Sequence, residues 1–468
     1  MLYGSIKIYG LYGLIYFMAT DLTQGSVFKR LIAFSLPYLL ACFLQTFYGV
    51  ADLVIVGYFN GSSTITAVSV GSQIMHMITL LLAGIAMGTT VLVGRAFGAK
   101  DRNQAAFAVG NSITLFTLFS VVLTAVCLLA TDVITSVLQT PLEAVSETSL
   151  YSRICFLGIP FIAAFNVLAS TCRGAGDTKH PMMFVAFGGI LNIILDYILI
   201  GPCGLGAAGA AWATVISQIA VVVIGSALLP KLKLGLQITR KHLQIDKDTF
   251  KNLLTVGIPA ACQDGFIQIT FLFITAIANS RGLAVATSVG IVEKLICFFF
   301  LVPSSMLASV SALAAQNRGA GFHDRGKLAL RYGVFTCIIY GFIIGLACQF
   351  ISPWLLHFFT KDGQIITYGT QYLRFYSFDA MIAGVQFCFS GYFCSYNKAG
   401  WAFFHNAVSS VAVRIPGTWL AAVMFPLTLT PMGAAAPLGS ILSICICLLV
   451  YRHYFRSPDK LKAMQGNS

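Results

Sequence analysis

Five acids stand inside stretches that are otherwise apolar: Asp52, Asp196, Asp264, Glu293 and Asp379. A charge at the centre of a bilayer costs about 2.5–3.5 kcal/mol on insertion scales, so a chain that keeps one has a use for it. Asp196 follows Asn192 by four residues in PMMFVAFGGILNIILDYILIG (181–201), which puts carboxylate and amide on one face of a helix. Oxygen ligands suit hard cations, and paired carboxylates in a dry place share a proton. The chemistry expected is therefore ion binding. Nothing points to catalysis. There is no H-E-x-x-H and no C-x-x-C, and the seven His are dispersed, so neither a catalytic residue nor a cofactor is expected.

The elements that carry these acids are membrane helices. Of 468 residues 57% are hydrophobic and 10% charged, against about 25% charged in a soluble domain. Apolar runs long enough to span occur twelve times, from 31–57 to 433–455. The fold class expected is all-α and integral to the membrane. The 13 Cys lie mostly in apolar segments, where Cys acts as a small hydrophobe, so no disulfide framework is read. The net charge of +13 could suit nucleic acid, but Lys and Arg collect in the loops on one side. That pattern fits the positive-inside rule and anionic headgroups instead. It places a multi-pass protein in the inner (plasma) membrane with both termini cytoplasmic.

The polar segment 230–249 divides the chain. FKRLIAFSLP (28–37) matches FKNLLTVGIP (250–259) at a shift of 222, and Cys172 matches Cys394 at the same shift. Two pseudo-symmetric six-helix lobes are expected, 22–229 and 250–456, with a cytoplasmic linker between them and tails at 1–21 and 457–468. The segment 1–17 is short for a span, and translation is expected to start at Met18. Parallel repeats of this kind enclose a central cavity in transporters.

Orientation then groups the polar residues. Asp52 falls near the outer end of the first span, Asn192 and Asp196 in the outer half of the fifth. Thr214 lies about 12 Å into the sixth at 1.5 Å per residue. All four reach one depth in the first lobe and form a cation or proton site. As a Na⁺ site the same four would supply the ligands. Pro37, fifteen residues before Asp52, removes a backbone hydrogen bond and offers a bend. In the second lobe Asp264, Glu293 and Asp379 form either a second site or a buried structural network, with Arg374 and Arg414 as counter-ions.

Several segments together resemble the multidrug and toxic compound extrusion (MATE) transporters. They are P-YLLACFLQTFYGVADLVIVGYFNG, GRAFGAKDR, CRGAGDTKHP, NIILDYILI, GLGAAGAAWAT and AQNRGAG. The resemblance covers roughly 22–456 and is nearest to the DinF-like bacterial branch. It implies an antiporter that exports lipophilic, often cationic compounds in exchange for H⁺ or Na⁺. It further implies ion coupling through Asp52, Asn192, Asp196 and Thr214, with Tyr48 and Asn166 lining the same pocket. The acids of the NorM-like branch would fall near Ala383 and Ile267, which are apolar here, so coupling is expected in the first lobe alone. A monomer working on drug-like small molecules in a lipid bilayer, with no nucleic acid, completes the expectation. The alternative is a flippase of a lipid-linked precursor with a related two-lobed fold, which a cationic cavity would favour.

Overall fold

A computed structural model describes residues 20–138, 140–232 and 234–455. The expected start at Met18 and the tail 457–468 lie outside the described residues. Helices make up the described fold and no strand occurs among the described residues. In chain order they are α1 (Val27–Phe59), α2 (Ser62–Gly98), α3 (Arg102–Leu129), α4 (Thr131–Val137), α5 (Leu142–Leu157) and α6 (Ile159–Gly174). There follow α7 (Lys179–Ile200), α8 (Gly206–Leu228), the short α9 (Arg240–Leu243), α10 (Lys247–Asn279), α11 (Leu283–Phe299) and α12 (Leu301–Gly319). The last six are α13 (His323–His357), α14 (Gly363–Tyr376), α15 (Asp379–Ser395), α16 (Ala399–Ser409), α17 (Ile415–Met424) and α18 (Thr430–Phe455).

Ten spans among the described residues are long and apolar enough to cross a membrane, two of them assembled from successive helices, α11 with α12 and α16 with α17. An eleventh is the pair α5 and α6, bent by 45° at Gly158. The matching place in the second half is taken by α14 and α15, which Ser377 and Phe378 separate. By length and composition, ten or eleven of the twelve expected spans are thus met among the described residues. At 33 residues each, α1 and α10 are about 50 Å long, more than the roughly 30 Å of hydrocarbon. Both run unbroken through a proline, Pro37 and Pro259, so each helix carries one missing N–H where the repeats correspond.

Aspartates start the helices at the polar breaks. Asp101 accepts from the Gln104 N–H at 2.9 Å, and Asp362 from the Gln364 N–H at 2.8 Å. Asp246 caps α10, and hydrogen bonds from the Thr249 hydroxyl and N–H hold its carboxyl below the usual carboxylate range. The linker is strapped to the first lobe by Asn111 on α3. Its amide donates to the carbonyls of His242 and Gln244 at 3.3 and 3.2 Å, and its oxygen accepts from the Asp246 N–H at 2.9 Å.

The lobes exchange the starts of their first helices. Leu31 and Phe34 of α1 pack into the apolar cluster of α12, α13 and α15. Leu253 and Ala261 of α10 pack into the cluster of the first lobe. Glycines permit this approach. A Cβ on Gly98 would sit 1.8 Å from the Gln316 carbonyl oxygen, and one on Gly319 would sit 1.9 Å from that of Arg95. The contact is reciprocal and explains the paired G-A and N-R-G-A segments. Gly84, Gly88 and Gly257 extend it between α2 and α10. Gln316 and Asn317 also clamp the chain entry. Gln316 accepts from the Leu22 N–H at 3.1 Å and donates to the Gly174 carbonyl at 2.8 Å, and Asn317 donates to the Leu22 carbonyl at 3.2 Å. The lobes therefore meet at the end that carries the basic loops. Beyond it, Gly49 on α1, Gly265 on α10 and Gly290 on α11 face open space.

Candidate functional site

The face of α7 that turns inward is the stripe Pro181, Val185, Gly189, Asn192, Asp196 and Ile200, spaced three and four apart. Helix α1 lies along it in parallel. The Tyr48 ring rests on Gly189, where a Cβ would be 3.0 Å from its Cδ1, and Phe59 rests on Gly201. Between these two contacts Asp52 and Asp196 adjoin, close enough for each carboxyl group to interact with the other. Glycine at 189 and 201 is what lets the helices close to that distance.

The cluster is buried and unsatisfied. Asn192 is 3% exposed and Asp196 is fully buried. Asp52 Oδ1, both Asp196 oxygens, and both polar atoms of the Asn192 amide have no fixed hydrogen-bond partner among the described residues. Buried polar groups are nearly always paired, so this concentration of unpaired ones makes the cluster the candidate ion site. Two carboxylates are acceptors only, and they can bond to one another only through a proton or a cation between them.

The other expected members stand differently. Thr214 on α8 is half-buried, and its hydroxyl donates to the Ala210 carbonyl of its own helix at 3.1 Å. Asn166 on α6 is buried, and its amide donates to the Ile162 carbonyl at 2.9 Å. Both stay on their own helices. Two residues that sequence reasoning passed over stand near the acids. Tyr151 and Cys155 on α5 lie within charge range of Asp52, and Cys155 also of Asp196. The Tyr151 ring packs against Gly71 of α2, and its hydroxyl is 3.3 Å from that of Ser72. Tyrosine and cysteine in an apolar run give no signal by type alone.

The acids of the second lobe do not converge. Asp379 is fully buried on α15 and pairs with Arg414 at 3.2 Å, while the Ser440 hydroxyl donates to its other oxygen at 2.5 Å. Arg414 also donates to Ser440 at 2.6 Å. Glu293 on α11 accepts from the Thr275 hydroxyl at 3.2 Å. Asp264 interacts with neither, and lies within charge range of Tyr38 of α1 and of Cys394. Both Asp379 oxygens are thus engaged, with Arg414 as counter-ion, while the Arg414 Nε is buried without a partner among the described residues. Arg374 forms no ion pair among the described residues, contrary to expectation. No group of three or more His, Cys, Asp or Glu able to hold a metal occurs among the described residues.

Comparison with known proteins puts these observations in context. The MatE family model matches 37–198 and 259–420, which is more than half of the chain. The two matches are offset by 222 at both ends, the shift read from the sequence. The probable multidrug resistance protein YpnP of Bacillus subtilis is 27% identical over 93% of this chain and 97% of its own. The multidrug export protein MepA of Staphylococcus aureus is 26% identical over 86% of this chain and 89% of its own. Among solved structures, a MOP superfamily transporter from Pyrococcus furiosus superposes with a TM-score of 0.88 at 21% identity, over 96% of this chain and 99% of that one. An outward-facing multidrug resistance MATE family transporter does so with a TM-score of 0.87 at 20% identity, over 96% and 99%. At these identities the structural likeness is one of fold.

Proposed function

The chain belongs to the MatE family, and from that premise we propose that it is a secondary multidrug efflux antiporter coupled to protons through Asp52 and Asp196. The observation that carries the coupling is the contact between these two carboxyl groups in a pocket without fixed donors. A single proton satisfies that contact. Sodium would require oxygens to converge from Asn192 and Thr214 as well; the Thr214 hydroxyl donates its proton to Ala210 and keeps its lone pairs free, so the choice of ion rests on the acid pair and on the test below. Its relatives are named for multidrug resistance and export, which supports drug-like small molecules as cargo. An acidic pair favours cationic cargo over the lipid-linked anion of a flippase.

In the cycle we envisage, the lobes begin closed at the basic end, which the positive-inside rule makes cytoplasmic. The Asp52 and Asp196 pair takes up a proton from the open, outer side. Neutralised, it no longer holds a cationic compound, which leaves outward. The lobes then rock, the proton is released inward, and new cargo binds. The proton can drive this only by binding the two states with different affinity. Pro37 gives α1 its compliance: without an N–H at 37, the carbonyl of Ala33 has no helical partner. The protein works as a monomer in the inner membrane with both termini inside.

The test is drug uptake into proteoliposomes with pH and Na⁺ gradients imposed separately. Uptake driven by the pH gradient alone, and lost in Asp196→Asn, supports the reading. Uptake driven by Na⁺ alone would overturn the choice of ion.

A further inference from the structure

A groove of about 960 Å³ opens at the basic end of the fold, between the first half of α10 and the start of α16. It lies away from the acidic pair, and the transport cycle above makes no use of it. One end is basic: Lys247, Lys251 and Lys398 line it. Lys247 and Lys251 are four apart and share a face of α10. None of the three forms a salt bridge among the described residues, and Asp248 is not part of the lining. Lys398 is held in place over the Tyr454 ring at 5.0 Å.

The rest of the groove is apolar. Phe250, Trp401 and Phe404 form its walls, and Phe404 is 47% exposed. From Lys247 to Pro259, at the deep end, is twelve residues, or about 18 Å of helix. Half the hydrocarbon thickness is about 15 Å. The groove therefore starts at the level of the basic loops and reaches the depth of one leaflet. Asn397, at the junction of the two parts, has a left-handed backbone (φ 58°), and its side-chain Oδ1 is buried without a partner. Its amide is tied to Asn252 at 3.2 Å.

A positive end at headgroup level joined to an apolar trough one leaflet deep matches one kind of molecule. We infer that this groove binds an anionic phospholipid, with its phosphate among Lys247, Lys251 and Lys398 and an acyl chain against Phe250, Trp401 and Phe404. A soluble anion would not need the trough, and a neutral lipid would not need the lysines. The adjoining face of the same stretch of α10, at Leu253, Gly257 and Ala261, forms the contact that closes the lobes, and Phe250 and Leu254 border both. The lipid lies beside that closure on the helix that makes it.

Trp401 offers a direct readout, because the chain has only four Trp. The intact protein is reconstituted in phosphatidylcholine vesicles containing about 10 mol% of either brominated phosphatidylglycerol or brominated phosphatidylcholine. The Trp401 signal is the difference between the parent and Trp401→Phe. Attraction by clustered lysines should make brominated phosphatidylglycerol quench that signal at least about twofold more strongly than brominated phosphatidylcholine. The variant Lys247→Gln/Lys251→Gln/Lys398→Gln should abolish the excess, and the corresponding triple Arg variant should keep it. Equal quenching by the two lipids would overturn the inference. So would an excess that survives the triple Gln change, or no quenching by either lipid, which would mean that protein covers the groove.

Discussion

Arg414 occupies the position one repeat after Asn192, offset by 222 residues, and it lies 3.2 Å from Asp379. The same offset turns Asp52 into Ile274 and Asp196 into Thr418. The second lobe thus has a built-in cation where the first lobe has a neutral amide and two acids. Local backbone explains the aim of that guanidinium. Residues 410–414 form a π turn, with the Ile415 N–H donating to the Ser410 carbonyl, and Pro416 lacks the N–H that a regular helix would use next. In the first lobe the matching stretch of α7 is regular.

A buried pair broken on one side is costly, whereas a pair replaced as a unit is not. Arg414→Met strands the Asp379 carboxylate and should lower stability by about 3–5 kcal/mol, measured as a fall in the thermal midpoint in detergent. Arg414→Met/Asp379→Leu should recover most of the loss and keep proton-driven efflux. If the double variant folds but has lost coupling, the pair belongs to the transport machinery and the one-sided site is wrong.

The contact between Asp52 and Asp196 makes a different prediction. If one proton serves both groups, either acid alone is insufficient. Asp52→Asn and Asp196→Asn should each cut efflux by about tenfold or more, and the double variant should be no worse than the singles. Expression and monodispersity should be unchanged, because each amide keeps the size of the acid it replaces. Effects that multiply in the double variant would show two independent sites.

How much of this was open to sequence reasoning depends on the kind of residue. An acid in an apolar run is conspicuous, so Asp52, Asn192 and Asp196 could be picked out from type and spacing. The 222-residue register was equally open, because Pro37 and Pro259 and the glycines at the basic end repeat. Spacing does not say where a hydroxyl turns, so Thr214 and Asn166 could not be seen to bond their own helices. Tyr151 and Cys155 look like ordinary core residues until the fold brings α5 against α1. The exchange of helix starts between the lobes was hidden as well, since Leu31 and Leu253 carry the same apolar signal whichever lobe buries them. Arg414 stood out as a charge, but its place over Asp379 depends on the π turn.

Orientation can be tested with a cysteine already present. Cys203 is exposed in the turn between α7 and α8, at the end away from the basic loops. A membrane-impermeant maleimide added to whole cells should label it. A cysteine introduced at Gly235, in the basic linker, should be labelled only after the cells are permeabilised. The reverse pattern would invert the topology and the direction of transport with it.

The reciprocal contact of Gly98 and Gly319 predicts how the closed end can be opened. Neither glycine has room for a methyl group, because the atom in the way is a backbone carbonyl oxygen that cannot step aside. Gly98→Ala must push the lobes apart at the basic end. Overpacking of this kind costs about 1–3 kcal/mol, and the cost falls only on the state in which the lobes meet there. By the same differential, the equilibrium should move about 5- to 150-fold toward the opposite state. Ala315 is fully buried in this contact beside Gly94, so a cysteine there reports on it. With the exposed native Cys203, Cys262, Cys297 and Cys445 replaced, Ala315→Cys should react slowly with a maleimide in the parent and faster once Gly98→Ala is added. Equal rates would mean that the lobes separate by a motion that leaves this contact intact.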